Sequence, residues 1–170
     1  MIIKTVDNLL PKKDFIKLKK LLLSDSFPYF FNNEMVSNKK ICQKDNYFFF
    51  HLIYNDDSKL KINSPYFDYI NHTILSKLPI KKLLRVKINC YPKTKEKVKH
   101  ALHVDYPYKH KGLILSINTC NGETVFKDNK KVISVENRAL FFDPSKLHGS
   151  TTCTDQQCRF NIAINYIEID

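Results

Sequence analysis

The pattern of hydrophobic and polar residues changes near residue 80. Before it, apolar residues recur at helical spacing over residues 11–23 and 64–78, and a proline near the start of each segment suits a first helical turn. Between these segments, the aromatic run over residues 47–54 predicts a buried strand. Residues 1–80 are therefore expected to supply mainly helical support with one added strand.

From residue 83 onward, short β segments follow one another at intervals of about ten residues. The last segment alternates apolar residues with small or polar ones, which is typical of a strand with one face in a core. The order predicts an α+β protein of one domain over residues 1–170. Its expected core over residues 83–170 is a double-stranded β-helix, or jelly roll. The predicted strands lie near residues 84–91, 102–106, 113–118, 124–127, 132–135, 139–142, 147–151 and 160–169.

The composition excludes several classes of protein. The chain has 43% hydrophobic and 26% charged residues, which is ordinary for a globular domain, and its three glycines exclude a glycine-rich phosphate loop. We expect no membrane span, because no stretch of 18 apolar residues occurs. Asp7 and the lack of a long apolar stretch near the start of the chain predict no signal peptide. Five cysteines, an odd number at irregular spacing, then predict reduced thiols in the cytoplasm, and the lack of a CxxC pair argues against a zinc ribbon.

The formal net charge of +11 has two interpretations. A positive field attracts phosphates, which favours a nucleic-acid partner. However, 25 of the 28 basic residues are lysines, scattered in pairs along a chain that is also rich in isoleucine and asparagine. That composition is typical of an AT-rich genome, and it favours compositional bias over a dedicated nucleic-acid surface.

Candidate chemistry is concentrated at three places in the second half of the chain. His103 and Asp105 form an H-x-D on a predicted strand, where residues i and i+2 point to the same face. His148 follows a turn signal 45 residues later. Two imidazoles and one carboxylate on one face of a metal leave the opposite positions open, as in the facial triad of non-haem Fe(II) oxygenases. Arg159, at the start of the last strand, can bind a carboxylate through two parallel hydrogen bonds.

The H-x-D, His148 and Arg159 are each weak evidence alone, but their order along the chain matches that of a known family. Over about residues 86–166 the chain resembles the Fe(II)- and 2-oxoglutarate-dependent oxygenases, specifically their prolyl-hydroxylase-like branch. That family has an H-x-D, a distal histidine and a downstream arginine in this order. Three further segments resemble motifs of the family, namely NCYP at residues 89–92, GETVF at residues 122–126 and NRALFF at residues 137–142.

The resemblance implies a role for each matching residue. His103, Asp105 and His148 would bind Fe(II), Arg159 would bind the distal carboxylate of 2-oxoglutarate, and Tyr91 would lie against that co-substrate. The implied reaction uses O2, with ascorbate as a stimulant. It hydroxylates a C–H bond while 2-oxoglutarate is oxidatively decarboxylated to succinate and CO2.

The chain departs from the family pattern near the arginine. Ser116 stands where several relatives have a tyrosine, and Asn161 and Ala163 occupy the positions of the usual polar partners of the arginine. The family pattern therefore does not define which residues surround the co-substrate carboxylate, although Asn161 still offers a hydrogen-bonding group.

The acceptor substrate has no signature in the sequence. A protein, a peptide or a small molecule is the favoured partner, nucleic acid stays open, and no membrane partner is expected. One alternative is an oxygenase that demethylates a flipped nucleobase, which the positive charge favours. Another is a non-catalytic, cupin-like barrel that binds a metal or a small ligand. Cupin sites usually add a third histidine and a glutamate, and neither is near this H-x-D.

The remaining histidines receive structural interpretations. His100 is expected at the surface, because it faces away from His103 on a strand. His110 is expected in a solvated turn, His51 in the core and His72 on a helix surface.

Overall fold

Antiparallel strands form most of the regular structure. The computed structural model describes residues 3–33 and 47–169, so Cys42 lies outside the described residues. The strands are β1 (Lys4–Val6), β2 (Phe30–Asn32), β3 (Phe48–Asn55), β4 (Ile80–Pro92), β5 (Lys111–Ser116), β6 (Glu123–Phe126), β7 (Lys131–Ile133), β8 (Ala139–Phe142), β9 (His148–Ser150) and β10 (Cys158–Glu168). The helices are α1 (Lys12–Leu22) and α2 (Phe67–Thr73), followed by a 3-10 turn (Leu75–Lys77).

The strands form two sheets. The large sheet has the order β1-β8-β5-β10-β4-β3-β2, and the small sheet has the order β7-β6-β9. Strands far apart in the chain are neighbours, since β10 lies between β4 and β5. The Arg159 side chain of β10 reaches Thr124 of β6, so the sheets face each other. This arrangement confirms the predicted α+β class with a jelly-roll core.

The helices cover the outer face of the large sheet. Leu18 and Leu22 of α1 are fully buried in a core that also contains Ile88 of β4 and Ile164 of β10. The predicted alternation of β10 is confirmed, because Ile162 and Ile164 face the helices while Asn161 and its i+2 neighbours line a cavity between the sheets. Neither described helix is long and apolar enough to cross a bilayer.

Truncation of Leu18 tests the role of this helix. Leu18 is 0% exposed, so Leu18→Ala is expected to lower the free energy of unfolding by about 2–5 kcal/mol through lost burial and an added cavity. Ile16 on the same helix is 41% exposed, and Ile16→Ala is expected to change it by less than about 1 kcal/mol. Urea denaturation measures both. Equal effects would mean that α1 does not pack on the sheet.

One predicted helix is wrong in extent, and two short strands were not predicted. The helix expected over residues 64–78 is only α2 and a 3-10 turn, because the Ser64 hydroxyl binds His51 Nε2 at 2.8 Å and the Tyr66 amide at 3.1 Å before the helix begins. The β-branched pair Thr73 and Ile74 then ends it. The short strands β1 and β2, of three residues each, were not predicted, since so short a segment carries no periodic pattern.

The strand predicted over residues 102–106 is also wrong. His103 pairs with His148 only as an isolated bridge, through two backbone hydrogen bonds of 2.8 and 3.0 Å. The ladder does not continue, because the facing chain turns at residues 143–146 and the Asp105 amide binds the Pro144 carbonyl instead. The H-x-D therefore lies in a loop that this single bridge holds against β9.

Candidate metal centre and the cavity beside it

His103, Asp105 and His148 converge at one end of the cavity. Their ligand atoms all lie within 4.8 Å of one another. The Asp105 carboxylate is 3.7 Å from His103 Nε2 and 3.9 Å from His148 Nε2, and the two imidazole centroids are 4.6 Å apart. The structure thus brings together two segments 43 residues apart, through the bridge between β9 and the H-x-D loop.

Backbone carbonyls fix the orientation of both imidazoles. His148 Nδ1 is 2.9 Å from the Lys146 oxygen, and His103 Nδ1 is 3.4 Å from the Ala101 oxygen. An Nδ1–H that donates to these carbonyls leaves the Nε2 lone pair directed at Asp105. Burial is the largest influence on both pKa values and lowers them, despite the opposing effect of Asp105. Both imidazoles are therefore neutral near pH 7, which is the form that binds metals.

Asp105 is held as a carboxylate. Burial would raise its pKa, but Arg85, His148 and Asn165 together hold the pKa at about 2. Arg85 Nη2 is 2.7 Å from one carboxylate oxygen, and Asn165 Nδ2 donates to the other at 3.0 Å. Since a carboxylate has about four lone-pair positions, these contacts leave positions for a metal. An ionised carboxylate and two neutral imidazoles on one side of an open space fit a divalent transition metal.

Arg159 occupies the opposite end of the cavity. The side chain is 1% exposed, and its guanidinium donates to Ser134 Oγ (2.7 Å), the Glu123 and Thr151 carbonyls (3.0 and 3.2 Å) and Thr124 Oγ1 (3.0 Å). These contacts use four of the five N–H groups and leave one on Nη2. No carboxylate of the described residues lies within 4 Å of this cation, so a bound anion would complete its surroundings.

Tyr91 and Asn161 lie beside Arg159. Tyr91 is directly opposite Arg159 in the register of β4 and β10, and its ring is 5.5 Å from the guanidinium carbon. Asn161 Oδ1 accepts a hydrogen bond of 2.9 Å from Asn89 Nδ2. Asn89 Oδ1 is buried and, among residues 3–33 and 47–169, has no hydrogen-bond partner. The cavity therefore offers an unused acceptor between the metal-binding cluster and Arg159.

Sequence reasoning missed several residues of the cavity. Arg85, Lys87 and Asn89 line it together with Tyr91, because they follow one another at every second position of β4. Counting backward from Tyr91 in steps of two would have identified these residues from the sequence. Asn165 of β10, which orients Asp105, lies four residues after Asn161 and therefore on the same face of the strand.

Two histidines expected at the surface are buried. His100 is 2% exposed, stacks on the Tyr91 ring at 5.8 Å and binds Ser150 Oγ at 2.9 Å. His110 is 4% exposed and packs edge-on against Tyr106. Both predictions assumed regular strand and turn geometry, whereas residues 100–110 form an irregular loop with an isolated bridge at His103. His51 is buried and His72 is exposed, as predicted.

Solved structures of known proteins share this fold. A 2OG-Fe(II) oxygenase family oxidoreductase from Burkholderia pseudomallei aligns with a TM-score of 0.71 at 12% identity, over 99% of this chain and 86% of the other. A prolyl hydroxylase from Trichoplax adhaerens, in complex with a hypoxia inducible factor peptide, aligns with a TM-score of 0.64 at 16% identity, over 98% and 83%. A Pseudomonas putida prolyl-4-hydroxylase aligns with a TM-score of 0.60 at 12% identity, over 99% and 93%.

At the level of sequence, no family model and no curated protein matches the chain. The structural likeness defines the fold, and the chain has the jelly-roll fold of the prolyl-hydroxylase-like 2OG-Fe(II) oxygenases. The predicted resemblance is confirmed at this level. The histidine–carboxylate cluster and Arg159 occupy opposite ends of the cavity within it.

Proposed function

We propose that the protein is an Fe(II)- and 2-oxoglutarate-dependent oxygenase that hydroxylates a C–H bond of an acceptor substrate. The observation that supports this most directly is that one cavity has two neutral imidazoles and a carboxylate at one end and a buried guanidinium at the other. When bound, iron would supply O2 activation coupled to decarboxylation of 2-oxoglutarate to succinate and CO2.

In this proposal each end of the cavity binds one part of the co-substrate complex. His103, Asp105 and His148 hold the metal and leave its cavity side open. The remaining Nη2–H of Arg159 binds the distal carboxylate of 2-oxoglutarate, and Tyr91 and Asn161 lie along the same wall. Burial strengthens the guanidinium–carboxylate attraction, since little water competes for either group.

The acceptor is proposed to be a peptide or a small molecule. One of the similar structures holds a hypoxia inducible factor peptide, and that protein is a prolyl hydroxylase. Tyr106 and Tyr108 follow Asp105 directly and pack together at 5.5 Å between ring centroids. Tyr108 is 46% exposed, so part of its aromatic surface is open to solvent.

The experiment that tests the proposed function measures binding and turnover separately. The full chain is titrated with 2-oxoglutarate in the presence and absence of Mn(II), and succinate is then quantified with Fe(II), ascorbate and O2. We expect metal-dependent binding and slow succinate formation without an acceptor. Mass spectrometry across peptides, amino acids and nucleosides then identifies the acceptor by the gain of one oxygen atom. Absence of both metal-dependent binding and succinate would contradict the proposal.

A substitution beside Arg159 tests the guanidinium end of the cavity. A Cβ added to Gly122 would lie 2.6 Å from Arg159 Cδ and 3.2 Å from the Thr152 carbonyl oxygen. Gly122→Ala is therefore expected to displace Arg159 and to weaken 2-oxoglutarate binding about tenfold, equivalent to about 1.4 kcal/mol of overpacking. Calorimetric titration measures the affinity of Gly122→Ala for 2-oxoglutarate. Metal affinity measured on the same variant is the control. Unchanged affinity for 2-oxoglutarate would contradict the proposal that Arg159 binds the co-substrate.

A further inference from the structure

The cavity carries more positive charge than a metal and 2-oxoglutarate account for. Its lining contains three cationic side chains, Arg85, Lys87 and Arg159, and one anionic side chain, Asp105. A divalent cation and the dianion of 2-oxoglutarate cancel each other, so their binding leaves this excess unchanged. A cavity of this charge attracts a further anion.

Lys87 is the cation of the cavity that has only aromatic neighbours within the described part of the chain. Arg85 is paired with Asp105 at 2.7 Å, and Arg159 donates four hydrogen bonds. By contrast, Lys87 has no hydrogen bond and no carboxylate within 4 Å among the described residues. Its ammonium lies 5.2 Å from the Phe48 ring centroid and 5.7 Å from that of Phe50. The rings hold the side chain in place but do not neutralise its charge.

The environment of Lys87 disfavours the charge. Burial, and then Arg85, lower the pKa of Lys87 to about 8, so the side chain is still mostly an ammonium at pH 7. An apolar side chain such as methionine would fill a similar volume without this cost. A lysine that is unfavourable for stability points to a role in binding.

Lys87 lies between the two ends of the cavity. In the register of β4 and β10 it faces Ala163, whose small side chain leaves open space. Two positions further along the same face, Arg85 is paired with Asn165, and both side chains contact Asp105. In the opposite direction along the same face, Asn89 is paired with Asn161, and Tyr91 is then paired with Arg159. An anion bound to Lys87 would therefore lie beside the metal centre.

We propose that Lys87 determines substrate specificity by binding a carboxylate or phosphate group of the acceptor. This inference rests on the proposed function, in which the metal and Arg159 already bind the two carboxylates of 2-oxoglutarate. The anion at Lys87 then belongs to the acceptor. The acceptor class is narrowed to molecules that carry a negative group close to the C–H bond that reacts.

The test uses the full chain loaded with Zn(II) and N-oxalylglycine, a 2-oxo acid analogue that does not react. Ligand-observed NMR measures the affinities of charged probes and their neutral counterparts. N-acetylproline is compared with its amide, glycyl-aspartate with glycyl-asparagine, and adenosine 5′-monophosphate with adenosine. The variants are Lys87→Met, Lys87→Arg and the control Lys20→Met, which removes the same charge from the exposed face of α1.

We expect wild type and Lys20→Met to prefer the charged member of at least one pair by about tenfold, which equals about 1.4 kcal/mol. Lys87→Met loses this preference and Lys87→Arg restores part of it. The preferred pair shows whether the anion is a carboxylate or a phosphate. Lys87→Met is also expected to be at least as heat-stable as wild type, which excludes misfolding as the cause.

Two outcomes would overturn the inference. One is equal affinity of the wild type for both members of all three pairs. The other is a loss of 2-oxoglutarate affinity in Lys87→Met, which would mean that the ammonium binds the co-substrate and not the acceptor. Failure of the proposed function gives a different result, because the wild type would then not bind 2-oxoglutarate in a metal-dependent way at all.

Discussion

Replacement of His148 by alanine is expected to abolish metal binding and, with it, any turnover of 2-oxoglutarate. His148 supplies one of three side chains whose ligand atoms lie within 4.8 Å of one another, and Lys146 orients its ring. Removal of a group that merely orients a metal ligand costs about 10–100-fold in affinity, so loss of the ligand itself should cost at least about 100-fold. Calorimetric titration with Mn(II) and succinate assays with Fe(II) measure the two effects.

The controls separate metal binding from folding. The His148 ring packs on Phe142 at 4.9 Å, so His148→Ala also leaves a cavity. His103→Ala provides a second test, because the His103 side chain is 30% exposed and its truncation disturbs packing less. His72 is exposed on α2, and His72→Ala should change neither measurement. Unchanged metal affinity in both His103→Ala and His148→Ala would contradict the assigned metal centre.

Replacement of Arg159 by alanine is expected to remove 2-oxoglutarate binding and also to destabilise the fold. Four hydrogen bonds hold the guanidinium, and its loss removes the donor to three buried groups, namely the Ser134 hydroxyl, the Thr124 hydroxyl and the Thr151 carbonyl. At about 1–3 kcal/mol for each unsatisfied buried group, the free energy of unfolding should fall by at least about 3 kcal/mol. Urea denaturation measures this loss.

Binding must then be measured at a temperature where the variant is folded. Under that condition Arg159→Ala should retain Mn(II) binding and lose 2-oxoglutarate binding, while Arg159→Lys restores the charge but not the planar set of donors. Arg138 forms an ion pair with Asp7 at the surface, and Arg138→Ala is the matched control with an expected cost below about 1 kcal/mol. Equal loss of metal and 2-oxoglutarate binding would indicate a general defect of the cavity.

The sequence carried the features that depend on local spacing. The alternation in β10 predicted one apolar face in a core and one small or polar face, because a strand places successive side chains on opposite faces. The structure shows that the apolar face meets the helices and the other face lines the cavity. The helix over residues 11–23 followed from its apolar stripe and is confirmed as α1. The identities of His103, Asp105, His148 and Arg159 followed from residue chemistry and order, and the structure brings the first three together.

Features that depend on contacts between distant segments could not be predicted. The H-x-D pattern suggested a strand, but the backbone there is set by one bridge to His148 and by a bond to Pro144. The burial of His100 arises from Tyr91 on β4 and Ser150 on β9. Local spacing contains no information on such contacts, because they arise when the sheets close over one another.

The sequence by itself determined which chemical groups are present and, for β10, the alternation that places Arg159 and Asn161 on the same face, since side-chain identity and the period of a strand are local properties. Only the tertiary structure decided which charges are paired. Arg85 is neutralised by Asp105, and within residues 3–33 and 47–169 Lys87 has no carboxylate within 4 Å, because antiparallel pairing of β4 with β10 and closure of the H-x-D loop fix their neighbours. Charge compensation depends on distances in space, and those distances are set by the packing of strands far apart along the chain.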